Sequence, residues 1–177
     1  MQEAEVSLRI AIYYIKNCYT KKDVRVSLDG AHIKTKKEIH FDIYTFLSNN
    51  GCRKLNGPID SWQGEYELEG YEPKIIISST PGIGDVNIFC KDGRHLYIES
   101  KKGKENNKSN LEYKFMREAI GQLMTNCNMN ENTIPVVAVP YTNKSYELAY
   151  KWSKLKQIQM IGIKFILVDK GGDIKFI

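Results

Sequence analysis

The 177 residues are enough for about one domain that buries its own core without covalent staples. No run approaches the roughly 18 consecutive apolar residues of a membrane helix, and the chain opens with acidic residues instead of a basic segment followed by an apolar one. Its four cysteines lie far apart and form no CxxC pair, which excludes a zinc ribbon and a disulfide scaffold. We therefore expect a soluble cytoplasmic protein with reduced thiols, whose net charge of +5 gives a mild attraction for phosphates.

The first half of the chain mixes helical and strand patterns. Apolar residues recur at helical spacing over 3–17, and the segment 24–30 has the pattern of a short strand that ends at a turn. A second helix is predicted over 35–50, where an Asn-Gly pair supplies a C-terminal stop. Residues 52–73 contain many turn formers and predict one or two short strands with a Gly- and Pro-broken connection.

The second half completes a mixed α/β pattern. In chain order it predicts a strand over 74–79, two strands over 85–89 and 95–101, a helix over 110–126, a buried strand over 134–140, a helix over 143–160 and a final hairpin over 164–177. We therefore expect one domain, residues 1–177, in which helices cover a mixed β-sheet.

The two strands around the turn near residue 92 carry charges where burial is expected. Residues two apart in a strand share a face, so Glu99 and Lys101 point the same way. A two-residue loop would place Glu99 on the opposite face from Asp85. An odd loop, of three residues over 92–94 or five residues over 91–95, pairs Asp85 with Lys101 and Asn87 with Glu99. We predict the odd loop, in which two carboxylates and an ammonium converge.

Two converging carboxylates form an oxygen-ligand site for a hard cation. Mg²⁺ takes one or two protein carboxylates and fills its remaining positions with water and substrate phosphate. A cation held in this way polarises a phosphate and lowers the pKa of a bound water, and a lysine beside it orients that water and stabilises developing charge. The pattern therefore points to hydrolysis of a phosphate ester.

Asp85 after the turn Pro81-Gly82-Ile83-Gly84, followed by Glu99-Ser100-Lys101 on the next strand, resembles the PD-(D/E)xK motif of the restriction-endonuclease-like nuclease superfamily. The core of that superfamily, with the element order αβββαβ, resembles residues 35–139 and leaves an extra N-terminal helix and a C-terminal helix plus hairpin outside. The resemblance implies that Asp85 and Glu99 ligate magnesium, for which manganese substitutes, and that Lys101 is catalytic. The match departs from the motif where Gly84 replaces the proline.

The resemblance also implies a further acid on the helix before the sheet. Glu38 holds this position on the predicted helix 35–50, which would make it a third catalytic and metal-binding residue. A capping box, in which Glu38 reaches back to the backbone of the helix start, explains the same residue equally well. Asp42, Glu3 and Glu5 are the alternatives for the acid that completes the metal shell.

Gln122 resembles a glutamine that some members of the superfamily present to the active site from the helix after the ExK strand. The tyrosine that follows it by four residues in those members is replaced here by Asn126. Gln122 is therefore a candidate catalytic residue, with an ordinary polar position at the edge of a core helix as the alternative.

Lysines cluster beside these acids and are candidate contacts for a nucleic-acid backbone. They are Lys36, Lys37, Lys102, Lys104 and Lys108. Aromatic side chains are candidates for base stacking, although scattered aromatic residues are usually core residues. The tyrosines in question are Tyr13, Tyr14, Tyr44, Tyr66, Tyr71, Tyr97, Tyr113, Tyr141, Tyr146 and Tyr150, and Trp62 joins them.

These features lead us to expect a Mg²⁺-dependent nuclease that hydrolyses phosphodiester bonds of nucleic acid, with DNA as the expected substrate. An endonuclease of restriction, junction-resolving, repair or anti-phage type fits the pattern equally. Such an enzyme can act as a homodimer that addresses two strands, with the N-terminal helix as the interface. The alternative is a non-catalytic nucleic-acid-binding or protein-interaction subunit on the same scaffold, which a broken site would indicate. The two acids and the lysine are all present.

Overall fold

Nine strands of the described residues form one continuous β-sheet. The computed structural model describes residues 1–33, 39–103, 111–127 and 130–177. The strands are β1 (Val24–Ser27), β2 (Cys52–Asn56), β3 (Gly64–Leu68), β4 (Lys74–Ser78), β5 (Val86–Phe89), β6 (His95–Ser100), β7 (Thr133–Pro140), β8 (Lys164–Val168) and β9 (Ile174–Phe176). The helices are α1 (Glu3–Lys16), α2 (Gly30–Ile33), α3 (Ile43–Asn49), α4 (Leu111–Asn126), α5 (Asn143–Trp152) and α6 (Lys156–Ile161).

The sheet is mixed, as the sequence predicted. Its strand order is β2-β3-β4-β1-β5-β6-β7-β8-β9. β1 runs parallel to β4, β6 to β7, and β7 to β8, and the remaining neighbours are antiparallel. The parallel strands β6, β7 and β8 therefore end together, after Ser100, Pro140 and Val168, at what we call the C-terminal edge.

Helices cover both faces of this sheet. On one face α1 packs against β1, β5, β6 and β7, and nine of its residues are buried. On the other face α4 and α5 pack over a second apolar cluster, to which β6, β7 and β8 contribute Tyr97, Val137 and Phe165. Because side chains alternate between faces along a strand, Leu96 and Ile98, which flank Tyr97, point to the opposite face. They belong to the first apolar cluster, which contains the buried residues of α1.

The helix beside the central strands is α1, whereas the sequence assigned that position to a helix over 35–50 and treated the N-terminal helix as an addition. Of the described residues of the predicted helix, only those of α3 are helical, and α3 contacts β2 near one end of the sheet. Strand order explains the difference, because β1 inserts between β4 and β5 and brings α1 with it. Since α1 is buried in its own chain, its apolar stripe is not available as the dimer interface suggested above.

The second helix also begins later than predicted. Residues 39–42 are not helical, and α3 starts after Asp42. The Asp42 carboxylate accepts hydrogen bonds from the backbone N–H of Thr45 (3.1 Å) and from its hydroxyl (2.7 Å), which is the standard N-cap arrangement. The predicted stop is confirmed, because Gly51 follows α3 in the left-handed conformation (φ 79°).

The helix predicted over 143–160 is divided into α5 and α6. A capping box formed by Thr142 and Ser145 starts α5, and the chain then turns between Ser153 and Leu155. This break lets Ile158 of α6 reach the same apolar cluster as Trp152 of α5.

Within the described residues no helix combines the length and the apolar character needed to cross a membrane. All four cysteines belong to the described residues and are free thiols. Burial raises the pKa of Cys52 to about 11, so this thiol remains protonated at neutral pH.

The turn before β5 depends on two glycines with positive φ. Gly82 has φ 77° and Gly84 has φ 73°, a conformation that residues with a Cβ rarely adopt. A Cβ on Gly82 would meet nothing within 4 Å, whereas a Cβ on Gly84 would lie 2.7 Å from the ring of Tyr97. The Tyr97 ring is buried in the second apolar cluster, so it cannot move aside freely.

These two glycines allow a matched test of the turn. We expect Gly82→Ala to lower the free energy of unfolding by about 1 kcal/mol through the backbone conformation alone. Gly84→Ala carries the same backbone cost and adds overpacking against Tyr97, for a total of about 3 kcal/mol. Urea denaturation followed by circular dichroism measures both, and equal losses would contradict the close contact with Tyr97.

Candidate active site

The register of the β5–β6 hairpin determines which charged residues meet. The two strands pair Val86 with Ile98 and Phe89 with His95, which leaves a five-residue loop. Asp85 lies one residue beyond the last pair, next to the end of β6. Asn87 pairs with Tyr97, so the predicted register, with Asn87 opposite Glu99 and Asp85 opposite Lys101, is wrong by two residues. The loop is nonetheless odd in length, so Asp85, Glu99 and Lys101 keep the shared face that was predicted.

Backbone hydrogen bonds fix Asp85 on both sides. Its N–H donates to the carbonyl of Ile98 (2.9 Å), and its own carbonyl accepts from the N–H of Ser27 in β1 (2.8 Å). The side-chain oxygen Oδ2 accepts from the N–H of Ser100 (2.7 Å). The carboxylate is thus held against the end of β6 with little freedom to rotate.

Glu99 and Lys101 are buried to a degree that is rare for charged side chains. Glu99 is 5% exposed and Lys101 is 4% exposed, and groups of this kind are seldom buried without a partner. The N–H of Lys101 donates to the carbonyl of Ala138 in β7 (2.8 Å). The parallel pairing of β6 with β7 therefore continues past Ser100 and carries the lysine into the interior.

Glu3, at the start of α1, is the helix acid that the structure brings to this group. Its Oε1 lies 3.4 Å from Nζ of Lys101, and both side chains are largely buried. The N–H of Gly103 donates to the carbonyl of Met1 (3.1 Å), so the chain after Lys101 is tied to the start of α1. Glu3 was one of the alternatives to Glu38, and its signal in the sequence was an acid in the first turn of an unusually apolar helix.

The electrostatics of this group are unbalanced. Burial raises the pKa of the Asp85 carboxyl, and the neighbouring charges of Glu99 and Glu3 raise it further, while Lys101 opposes them. Burial also raises the pKa of Glu99, against the lowering effects of Lys101 and of a hydrogen bond with Asp85. Three carboxyl groups share one ammonium, so full ionisation of the group would leave an excess of negative charge.

Asp85 and Glu99 suit a hard divalent cation. Two protein carboxylates are the number that Mg²⁺ commonly takes, with water and phosphate as its other ligands, and a divalent cation would offset the excess negative charge. Across residues 1–33, 39–103, 111–127 and 130–177 no three His, Cys, Asp or Glu side chains form a metal-binding group. The described part of the chain therefore offers a two-carboxylate site, with Glu3 directed at Lys101.

Gln122 lies on α4 and is half-buried. Its Oε1 is buried and has no hydrogen-bond partner among the described residues, and the same is true of Oγ of Ser100 at the end of β6. No hydrogen bond joins Gln122 to Asp85, Glu99 or Lys101 in the described part of the chain, so its contact with the site stays a prediction.

The other predicted site residues fall into two groups. Those outside the described residues are Glu38, Lys36, Lys37, Lys104 and Lys108. Among the described ones, Lys102 is exposed directly after Lys101. Asp42 caps α3, and Glu5 pairs with Arg9 at 2.9 Å, so neither of these two alternatives joins the site.

Sequence reasoning missed a polar arrangement beside Asp85 on the same face of the hairpin. Asn87 donates to the carbonyl of Ile83 in the turn, and its Oδ1 accepts from Nε2 of His95 (2.9 Å). The hydroxyl of Tyr97 donates to the carbonyl of Asn126 at the end of α4 (3.3 Å). These bonds hold the turn and α4 against the hairpin, and no motif in the sequence marks them.

Comparisons with known proteins returned no match to a family model, to a curated protein or to a solved structure.

The crowding of the carboxylates predicts a stabilising substitution. Because burial raises the pKa of Asp85 above its unfolded value, the ionised carboxylate costs stability at pH 8 in the absence of a cation. Asp85→Asn retains an acceptor for the Ser100 N–H and removes the charge, so we expect it to raise the free energy of unfolding in EDTA by about 1–2 kcal/mol.

Thermal unfolding of both proteins at pH 8 measures this effect. Asp92→Asn is the control, since Asp92 is an exposed carboxylate in the turn of the same hairpin and should give no gain. A lower melting temperature for Asp85→Asn than for the unmodified protein would show that the carboxylates are not in conflict.

Proposed function

We propose that this protein is a metal-dependent nuclease that hydrolyses phosphodiester bonds of nucleic acid, with DNA as the expected substrate. The observation that carries the proposal is the convergence of Asp85 with the buried side chains of Glu99 and Lys101 at the end of the β5–β6 hairpin. A surface hairpin with ordinary charge pairs would leave such groups solvated. Here the fold buries them together, which is typical of a functional site.

The element order supports the resemblance to the restriction-endonuclease-like superfamily. α1, β1, β5, β6, α4 and β7 follow one another as αβββαβ, with residues 28–85 inserted after the first strand. The three strands of this series are neighbours in the sheet, and β7 adjoins them. This series begins at α1, where the sequence alone suggested a helix over 35–50.

The missing proline of the motif has a local explanation. Gly84, which stands in its place, has φ 73°, whereas proline is restricted to φ near −65°. The turn Pro81–Gly84 therefore leads into Asp85 through a residue in the left-handed conformation, which proline cannot adopt. The departure concerns how the aspartate is positioned and leaves the aspartate itself in place.

In the proposed reaction Asp85 and Glu99 hold Mg²⁺ or Mn²⁺. When bound, the cation supplies charge neutralisation at the scissile phosphate and a water of lowered pKa. The ammonium of Lys101 donates to the attacking water and stabilises the negative charge that develops on the phosphate oxygens. The Glu3 carboxylate, 3.4 Å from Nζ, keeps the lysine directed into the site.

Contacts with the rest of the nucleic acid are assigned to lysines. Lys102 is exposed beside the site and can neutralise a flanking phosphate. Lys36, Lys37, Lys104 and Lys108 remain candidates for the same role, and Gln122 remains a candidate active-site contact. A homodimer also remains a prediction, which light scattering at assay concentration tests.

The first test is cleavage by the purified protein. We expect Mg²⁺- or Mn²⁺-dependent cutting of duplex, single-stranded or four-way-junction DNA, or of RNA, that EDTA abolishes. Lys101→Ala and Glu99→Gln should each lower the rate at least a hundredfold, because they remove a charge that acts on the reacting phosphate. Lys91→Ala is the matched control, since Lys91 is an exposed lysine at the opposite end of the same hairpin.

Salt-sensitive binding without cleavage of any substrate would favour the alternative function, a non-catalytic nucleic-acid-binding subunit. Cleavage by Lys101→Ala at the rate of the unmodified protein would show that this site does not catalyse the reaction and that other residues do.

Glu3 and Glu5 offer a second matched pair. Both are acids in the first turn of α1, but Glu3 contacts Lys101 whereas Glu5 pairs with Arg9. Residues that orient an active group commonly change activity by about 10- to 100-fold, so we expect Glu3→Gln to lower kcat by about tenfold. Its KM should change little, and Glu5→Gln should leave both constants near those of the unmodified protein. Equal effects of the two variants would show that Glu3 acts only through the stability of α1.

A further inference from the structure

Three tyrosines form a row on the surface near the C-terminal edge of the sheet. Tyr141 follows β7, and Tyr146 and Tyr150 are one turn apart on α5, so they share a helix face. The ring centroids of Tyr141 and Tyr146 are 6.3 Å apart, and those of Tyr146 and Tyr150 are 6.1 Å apart with planes inclined by only 21°. We call Tyr141, Tyr146 and Tyr150 the tyrosine ladder.

Two lysines from different segments lie over the rings of the ladder. Nζ of Lys175, in β9, is 4.1 Å from the centroid of Tyr146 and 5.9 Å from that of Tyr141. Nζ of Lys154, after α5, is 3.8 Å from the centroid of Tyr150. The ladder therefore interleaves aromatic faces with positive charge along its whole length.

The core does not account for the two outer tyrosines of the ladder, whereas Tyr146 between them packs against the second apolar cluster. Tyr141 is 41% exposed and Tyr150 is 49% exposed. α5 is anchored by a different set of side chains, of which Leu148, Ala149 and Trp152 are buried in the second apolar cluster. Substitution of the outer tyrosines would therefore leave the packing of α5 largely intact, which makes the ladder a testable surface.

The ladder starts close to the candidate active site. The N–H of Lys101 donates to the carbonyl of Ala138, three residues before Tyr141. A Cβ on Gly103 would lie 2.8 Å from the side chain of Pro140, so the segment that leaves the site touches the residue before the ladder. Both features lie at the C-terminal edge, and both belong to the face of the sheet that α4 and α5 cover.

The charges around the ladder suit a polyanion. α5 carries Lys144 and Lys151 in addition to the two lysines over the rings. Its acid, Glu147, lies 3.4 Å from Lys144, so that pair is internally balanced. An apolar partner would gain nothing from the lysines, whereas a partner with phosphates and flat rings would use both parts of the surface.

We propose that the tyrosine ladder binds a single-stranded segment of nucleic acid and leads it to or from the candidate active site. Unpaired bases stack on tyrosine faces, and lysines contact the phosphates between them, a combination that binds single strands with little sequence preference. A duplex hides its base faces, so the ladder recognises unpaired nucleotides only. This inference rests on the proposed function for the nature of the substrate, and it assigns that substrate a single-stranded flank.

The test is binding in the absence of cleavage. Fluorescence anisotropy in EDTA measures the dissociation constants of labelled oligo(dT) and of a hairpin duplex of equal charge. We expect Tyr141→Ala and Tyr150→Ala each to weaken oligo(dT) binding by about five- to tenfold and to leave duplex binding unchanged. Tyr150→Trp should bind oligo(dT) with the affinity of the unmodified protein, in contrast to Tyr150→Ala, because tryptophan also offers a stacking surface. Tyr44→Ala is the control, since Tyr44 is an equally exposed helical tyrosine (48%) on α3.

Two results would overturn the inference. Unchanged oligo(dT) binding by the ladder variants would show that the surface serves another partner, and an equal loss for duplex and single strand would show a general charge effect without stacking. The outcome is separable from that of the proposed function, because binding is measured without metal. If the protein cleaves DNA but the ladder variants bind oligo(dT) with unchanged affinity, the proposed nuclease function stands and the ladder inference is wrong. If the ladder variants lose oligo(dT) affinity but the protein cleaves nothing, the ladder inference stands and the proposed nuclease function is wrong.

Discussion

The burial of the Glu99 carboxylate and the Lys101 ammonium beside Asp85 at the end of β6 is the constraint around which this structure is arranged. Ionised groups are costly to remove from water unless partners surround them. Asp85 is held by the N–H of Ser100, and Lys101 is held by Ala138 through its backbone and by Glu3 through its side chain. The elements that supply these partners, β6, β7 and α1, are themselves largely buried. Charged groups therefore lie at this place at a cost to stability, which is what the proposed function would require of a site for a ligand.

The topology of the sheet explains why a site forms at this edge. β6 and β7 run in the same direction, so the segments after Ser100 and Pro140 emerge side by side. β5 runs the other way and brings Asp85 to the same edge from its beginning. One edge thus receives an acid from a strand start, an acid and a lysine from a strand end, and the tyrosine ladder from the chain that follows β7. The proposed nuclease and the proposed single-strand surface are consequences of the same strand directions.

Much of the fold could be read from local pattern. Alternating or continuous apolar runs located β4 to β9, and helical spacing located α1 and α4, because these signals depend on neighbours in the chain. The pattern failed at the start of α3, where the capping side chain of Asp42 set the boundary, and in α5 and α6, which the turn after Trp152 separates. Helix ends are decided by a few hydrogen bonds, which periodicity does not report.

For the candidate site, the three residues and their common face could be predicted from local pattern alone. Asp85, Glu99 and Lys101 share a face for any odd loop, since alternation along a strand is a property of the backbone. The register of β5 and β6, and the position of α1, whose first turn brings Glu3 to Lys101, depend on the folded chain. Strand order and contacts between distant segments result from the packing of the whole chain, and no local sequence pattern carries that information.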